Sequence, residues 1–179
     1  MSDQVQYAPG PAREAEIQKG GEKWTLILTR ELRHSPATVW QALTDPAHLR
    51  EWAPFEADGN LGTVGAMVKL TWIGTGRVSQ TTVTRADVPR LLEYGEIRWE
   101  LSPLGGGTRL KLLHSIERGF IAWGAAGWQI CFDVLERLLA GDPIGRIAGA
   151  DAMKAAGWQR LVAEYAKQFG AAAPDTQKE

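Results

Sequence analysis

The chain has 179 residues, of which 44% are apolar and 23% charged, the length and make-up of one globular domain that buries about 70% of its unfolded surface. Twenty basic residues stand against 21 acidic ones, with no run of five like charges, so nucleic acid is not an expected partner. One cysteine, Cys131, excludes an internal disulfide and any multi-cysteine zinc site. The N-terminal segment lacks the apolar core of a signal peptide, and no stretch approaches the ~20 apolar residues that span a bilayer. The cytoplasm is therefore the expected compartment, with no membrane span.

Residues 1–22 are polar, carry Pro9, Pro11, Gly20 and Gly21, and read as a flexible arm; residues 171–179 read as a flexible tail, leaving one domain over 23–170. The first strand is Trp24 to Leu32. Ser35-Pro36 and Asp45-Pro46 then each start a short helix, with the polar residue as N-cap and proline at the first helical position. Val64, Ala66, Val68, Leu70 and Trp72 alternate along one face of a strand. Gly74-Thr75-Gly76 turns into a strand over Arg77–Arg85. Leu91–Gly95 and Ile97–Ser102 are two strands around Gly95-Glu96, or one strand bent there. After Gly105-Gly106-Gly107, Leu110, Leu112, His114 and Ile116 share one face of the last strand.

The long helix runs from about Ile121 to Ala140. Trp128, Cys131, Phe132, Leu135, Leu138 and Leu139 form its apolar stripe, while Gln129, Asp133, Glu136 and Arg137 read as its solvent side. Gly141 and Pro143 stop it. Trp158, Leu161, Val162, Tyr165 and Phe169 form a second stripe. The string Ala-Ala-Gly-Trp-Gln occurs at 125 and at 155; two copies are too few for a repeat array. Strands joined by tight turns imply an antiparallel sheet, and a twisted sheet packed on helices is an α+β design.

The run from Leu32 to Pro46, LRHSPATVWQALTDP, followed by Leu49 and Trp52, resembles the opening of the START-like (SRPBCC) superfamily. Gly106 to His114, and Gly127-Trp128 through Leu135, look like its last strand and its grip helix. The resemblance covers roughly residues 24–170, and its nearest branch is the activator of heat-shock-protein ATPase homologue group. It implies a helix-grip fold: a curved antiparallel sheet wrapped around a long C-terminal helix, two short helices after the first strand, and a cavity between sheet and helix. The co-chaperones that give the branch its name carry a further N-terminal domain, which this chain is expected to lack. The superfamily includes lipid carriers, hormone receptors, plant allergen relatives and polyketide cyclases, so fold alone does not assign an activity.

His114 shares a strand face with leucines and should look inward, where it is either an acid, base or ligand-orienting donor or a core histidine bonded to a backbone carbonyl; the second is the preferred reading. Eight tryptophans are many for this length. Each taken singly reads as core filling, but as a set they favour a cavity for a flat or greasy ligand, with Trp72, Trp99 and Trp128 foremost. The expected lining is Trp40, Trp52, Val68, Leu70, Trp72, Trp99, Leu112, His114, Trp128, Cys131 and Leu135. Cys131 lies on the apolar face of the grip helix without a readable Cys–His–Asn spacing and is expected to pack, not react. Arg98, Glu100, Asp133 and Glu136 fall on expected solvent faces. No dinucleotide fingerprint, phosphate loop, paired-histidine zinc helix or serine elbow is present. No catalytic residue, metal or cofactor is therefore assigned.

A small-molecule binding module is the leading expectation, with a hydrophobic molecule as partner. A polyketide aromatase/cyclase-like enzyme using His114 is the second. A co-chaperone-like regulator, using exposed apolar surface near Phe120 and Trp123 to meet a chaperone, is the third. The last helix, through Trp158 and Tyr165, is a candidate homodimer face.

Overall fold

The computed structural model describes residues 7–170. Eight strands form one antiparallel sheet: β1 (Glu16–Gln18), β2 (Lys23–Leu32), β3 (Phe55–Ala57), β4 (Met67–Trp72), β5 (Val78–Asp87), β6 (Leu91–Tyr94), β7 (Ile97–Leu104) and β8 (Gly107–Glu117). Their order across the sheet is β1-β2-β8-β7-β6-β5-β4-β3. The helices are α1 (Pro36–Thr44), α2 (Pro46–Trp52), α3 (Ile121–Leu139), α4 (Ala150–Met153) and α5 (Trp158–Phe169). This is an α+β helix-grip architecture: the sheet curls and α3 lies across its concave face. No helix among the described residues is long and apolar enough to cross a membrane.

The local signals act as their chemistry dictates. Ser35 Oγ accepts from the Thr38 amide at 3.2 Å and Asp45 Oδ1 from the Ala47 amide at 2.9 Å, capping α1 and α2, whose first-turn amides have no helical partner. Leu91–Leu104 is two strands, β6 and β7, paired antiparallel across Gly95-Glu96; Gly95, at φ 55°, allows the turn. Alternation fails at the start of β4. Val64 is exposed and precedes the strand, which begins at Met67. The two Ala-Ala-Gly-Trp-Gln strings are not structural equivalents: the first lies within α3, whereas in the second Gly157 is the left-handed N-cap of α5.

The reading of residues 1–22 as a loose arm needs correction. Its described part extends across α3 and α5, and β1 pairs with Thr25–Ile27 of β2, so the packed unit begins well before residue 23. The reason is a clamp of helix side chains on the arm's backbone. Glu164 and Gln168 accept from the amides of Ala12 and Ala15 at 3.1 and 2.7 Å. Arg160 and Gln129 donate to the carbonyls of Pro9 and Pro11 at 2.9 and 3.1 Å. Tyr165 Oη, which donates to Gln129 Oε1, accepts from the Arg13 amide at 3.3 Å. These bonds replace the ladder that an extended segment otherwise needs. Residues 1–6 and the tail 171–179 lie outside the described residues.

The second correction concerns the expected solvent side of α3. Gln129 is buried, and Asp133 and Glu136 face an inward arginine. Leu26, Leu28, Arg30 and Leu32 are the inner face of β2. The side chain of Arg30 is only 2% exposed, and its guanidinium lies 3.0 Å from both Asp133 Oδ1 and Glu136 Oε1 and over the Phe132 ring. Tyr7 donates to Asp133 Oδ2 at 2.5 Å. A charge taken from water requires such partners, and here they tie β2, α3 and the arm together. Trp158 and Tyr165, proposed from sequence for a dimer face, are buried within their own chain.

Removing a hydrogen-bonded phenol costs about 1 kcal/mol, so Tyr7→Phe should lower stability by that amount. Arg30→Met leaves two partly exposed carboxylates unpaired and should cost about 2–3 kcal/mol. Urea unfolding midpoints measure both. Midpoints unchanged in both variants would contradict the docked arm.

Candidate functional site: an aromatic corner around His114

The inner face of the sheet and the underside of α3 meet through indoles. Trp52 comes from α2, Trp99 from β7, and Trp128 with Phe132 from α3; all six ring pairs among them have centroids 5.6–6.5 Å apart. Edge and tilted contacts of this kind suit the ring quadrupoles. The polar edges are satisfied: Trp52 Nε1 donates to the Ala42 carbonyl at 2.9 Å and Trp99 Nε1 to Tyr94 Oη at 3.1 Å. Val68, Leu70, Leu112, Cys131 and Leu135 are buried in the same core as the rings, and Trp40 joins it from α1. The four rings thus contact one another at the sheet–α3 interface, where the sequence places the cavity. Two surface clefts, of about 1260 and 330 Å³, open elsewhere and have no tryptophan in their walls.

Packing thins at one corner. β4 and β8 are separated by three strands in the sheet order, yet Trp72 at the end of β4 stacks on His114 of β8, with centroids 5.7 Å apart and planes within 9°. Only strong curling of the sheet brings them together. Trp128 meets the same imidazole edge-on at 5.8 Å, and its Nε1 donates to His114 Nδ1 at 3.0 Å. Gly124 lets α3 approach β8 so closely, since a Cβ there would sit 2.5 Å from Ile116 Cδ1. Trp128 is buried, whereas Trp72 and His114 are only half-buried. His114 is inward, as its alternation predicts, but its partner is an indole N–H and not a backbone carbonyl.

That bond fixes what the histidine can do. With Nδ1 accepting, the neutral ring carries its proton on Nε2, and Nε2 makes no hydrogen bond among the described residues. Burial lowers the imidazole to about 4; Glu96 opposes this and Lys23 adds to it. At neutral pH the ring is therefore uncharged, with its one N–H donor at Nε2, stacked on Trp72. Cys131 lies 4.0 Å from the Ile147 carbonyl, and burial pushes its thiol up to about 12, so it packs as an inert thiol. Arg98 forms ion pairs with Glu93 and Glu100 on the sheet's outer side. Among the described residues no three His, Cys, Asp or Glu side chains gather as a metal site.

Sequence reasoning missed Tyr94, the acceptor for Trp99, and Phe132 as the fourth ring of the cluster. Both were signalled, Phe132 by its place on the α3 stripe and Tyr94 by its alternation with Leu92.

A histidine held neutral by folding makes stability depend on pH. Between about pH 6.5 and 4 the unfolded chain binds the extra proton. The contribution of His114 is therefore complete above about 6.5 and disappears as the pH falls to 4. Allowing for its partial exposure, it amounts to about 1–2 kcal/mol. In urea titrations at pH 5 and 7, His114→Gln should remove that part of the slope; an unaltered slope would contradict the assignment.

The sequence model of the family described as "Activator of Hsp90 ATPase homolog 1-like protein" matches residues 33–140, more than half of the chain. No curated protein matches significantly. Solved structures share the fold. CalU16 from Micromonospora echinospora has 22% identity and a TM-score of 0.63 over 87% of this chain and 96% of its own. Protein MLL2253 from Mesorhizobium loti has 24% identity and a TM-score of 0.57 over 65% and 97%. DynU16, from the dynemicin biosynthetic locus, has 20% identity and a TM-score of 0.59 over 72% and 51%. At these identities the structural likeness establishes fold alone. The family match, the curled sheet and the gripped α3 agree: this chain belongs to the Activator of Hsp90 ATPase homolog 1-like family, within the START-like fold.

Proposed function

We propose that the chain binds a small, flat, apolar molecule bearing one hydrogen-bond acceptor, seated at the Trp72–His114–Trp128 corner. The carrying observation is the Trp128 Nε1 to His114 Nδ1 bond at 3.0 Å, which leaves the imidazole a single unoccupied donor, Nε2–H, on a ring set between two indoles. Trp72, half-buried where Trp128 is buried, swings away to admit the ligand, whose plane then stacks where the indole lay. Trp52, Trp99, Val68, Leu70, Leu112, Cys131 and Leu135 supply the apolar wall behind it, with Trp40 supporting that wall. Burial of a flat ligand against such a wall supplies affinity, and the lone donor supplies orientation.

The same bond disfavours a cyclase-type enzyme. A general base needs a free ring nitrogen lone pair, and the only one is already occupied by the indole proton. A general acid needs the imidazolium, which at pH 7 is about one part in a thousand for a group titrating near 4. Binding, not proton transfer, is what this histidine suits. The occurrence of the fold relative DynU16 in a locus for dynemicin biosynthesis is in keeping with small-molecule work of this kind.

One observation favours a second reading, contact with a chaperone. Phe120 is 49% exposed and packs on Trp123 at 6.0 Å, which packs on Trp158 at 6.2 Å, giving an aromatic edge at the start of α3. The family description names an ATPase activator. In a purified Hsp90 ATPase assay this reading expects stimulation that Phe120→Ala reduces at least about threefold, and no stimulation by the wild type removes it.

2-Naphthol, planar with one hydroxyl, is a direct probe of the first reading. Saturable quenching of tryptophan fluorescence is expected, with affinity reduced about tenfold in His114→Leu through loss of the donor. Absence of saturable binding to the wild type up to the solubility of the probe would reject it.

A further inference from the structure

Access to the corner depends on what holds Trp72 against His114. Trp72 ends β4 and opens the hairpin Ile73-Gly74-Thr75-Gly76 into β5. On the far side of the corner, residues 141–149 link α3 to α4. Their backbones touch: a Cβ on Gly74 would lie 2.9 Å from Gly149 Cα, and one on Gly149 would lie 2.7 Å from Gly74 Cα and 3.1 Å from the Ile73 carbonyl carbon. Both residues also have positive φ, 101° at Gly74 and 58° at Gly149. Any side chain at either position would therefore meet main chain, which cannot rotate away as a side chain would.

The linker is itself tethered. Arg146 pairs with Glu56 of β3 at 2.9 Å, and Ile144 and Ile147 are buried in the core. At the hairpin the Ile73 amide donates to the Pro54 carbonyl at 2.9 Å and Trp72 packs edge-on against Phe55 of β3 at 5.1 Å, while β3, its neighbour at that edge of the sheet, has three residues. The hairpin tip thus meets the anchored loop through two bare glycines. Backbone contact without interlocking side chains gives close packing but little area, so such a contact separates at low cost.

We infer that the Gly74–Gly149 contact is a latch that closes the β4–β5 hairpin over the ligand corner and holds Trp72 on His114. Opening the latch moves Trp72 outward, uncovers Nε2–H and the edge of Trp128, and admits the ligand; closing it returns the indole to its stack. The inference rests on the binding role proposed for this corner but is read out without a ligand.

The test uses full-length protein labelled with 5-fluorotryptophan, the Trp72 resonance being assigned with Trp72→Phe. Gly149→Ala should force the two backbones apart. The Trp72 resonance should then gain the solvent isotope shift of an exposed indole, and the His114 titration should move up toward the ordinary value of about 6.5, while the six tryptophan resonances other than Trp72 and its neighbour Trp128 keep their positions. Glu56→Gln removes the tether without altering either glycine and should move both readouts in the same direction by less; it decides the matter if Gly149→Ala disturbs those six. A Trp72 resonance and a His114 titration identical to wild type in Glu56→Gln and in any folded Gly149→Ala protein would overturn the latch. Failure of 2-naphthol to bind would instead remove the proposed function, leaving these two readouts to decide the latch.

Discussion

The fold depends on how little of α3 meets solvent: of the residues in the helix only Arg137 is exposed. One face of the helix carries Trp128 and Phe132 into the indoles of Trp52 and Trp99. The opposite side presents Gln129, Asp133 and Glu136 to Arg30, to Tyr7 and to the backbone of the arm. A long helix enclosed in this way needs polar groups matched one by one, because each unmatched one costs as much as several apolar contacts supply. The arm is therefore part of the grip: it completes hydrogen bonds that α3 and α5 cannot complete between themselves.

The sequence made much of the scaffold legible. Alternation located β2, β7 and β8, and Ser35-Pro36 and Asp45-Pro46 located two short helices with their caps. Glycine and proline after Ala140 placed the end of α3. The elements it concealed have physical reasons to be concealed. β1 and β3 have three residues each, too few for any period to register. The arm is held by side chains of α3 and α5 more than 100 positions away in the chain, and no local pattern records such a clamp. Arg30 was readable in principle: it occupies an inward position between Leu28 and Leu32, and Asp133 and Glu136, one helical turn apart, offer it two carboxylates. Amphipathic reasoning assigns such carboxylates to water unless the arginine is noticed first.

The site was half legible. Trp72, His114 and Trp128 were each assigned to the interior from spacing alone, and the fold does bring them together. Their mutual arrangement was not readable, because contact between β4 and β8 depends on how far the intervening strands curl. The rings of Trp52, Trp99, Trp128 and Phe132 also close on one another where the sequence suggested an empty pocket. Ring volumes can be counted in a sequence, but whether they line a space or fill it is set by register and helix height.

The central claim is that His114 is a neutral, Nε2-protonated donor whose other nitrogen is occupied by Trp128. Long-range proton–nitrogen NMR of uniformly 15N-labelled protein at pH 7 reads the tautomer directly. The account predicts a neutral His114 with hydrogen on Nε2 and an unprotonated, hydrogen-bonded Nδ1. An imidazolium at that pH, or a ring with its proton on Nδ1, would contradict it and would return His114 to the possible acids and bases of an enzyme.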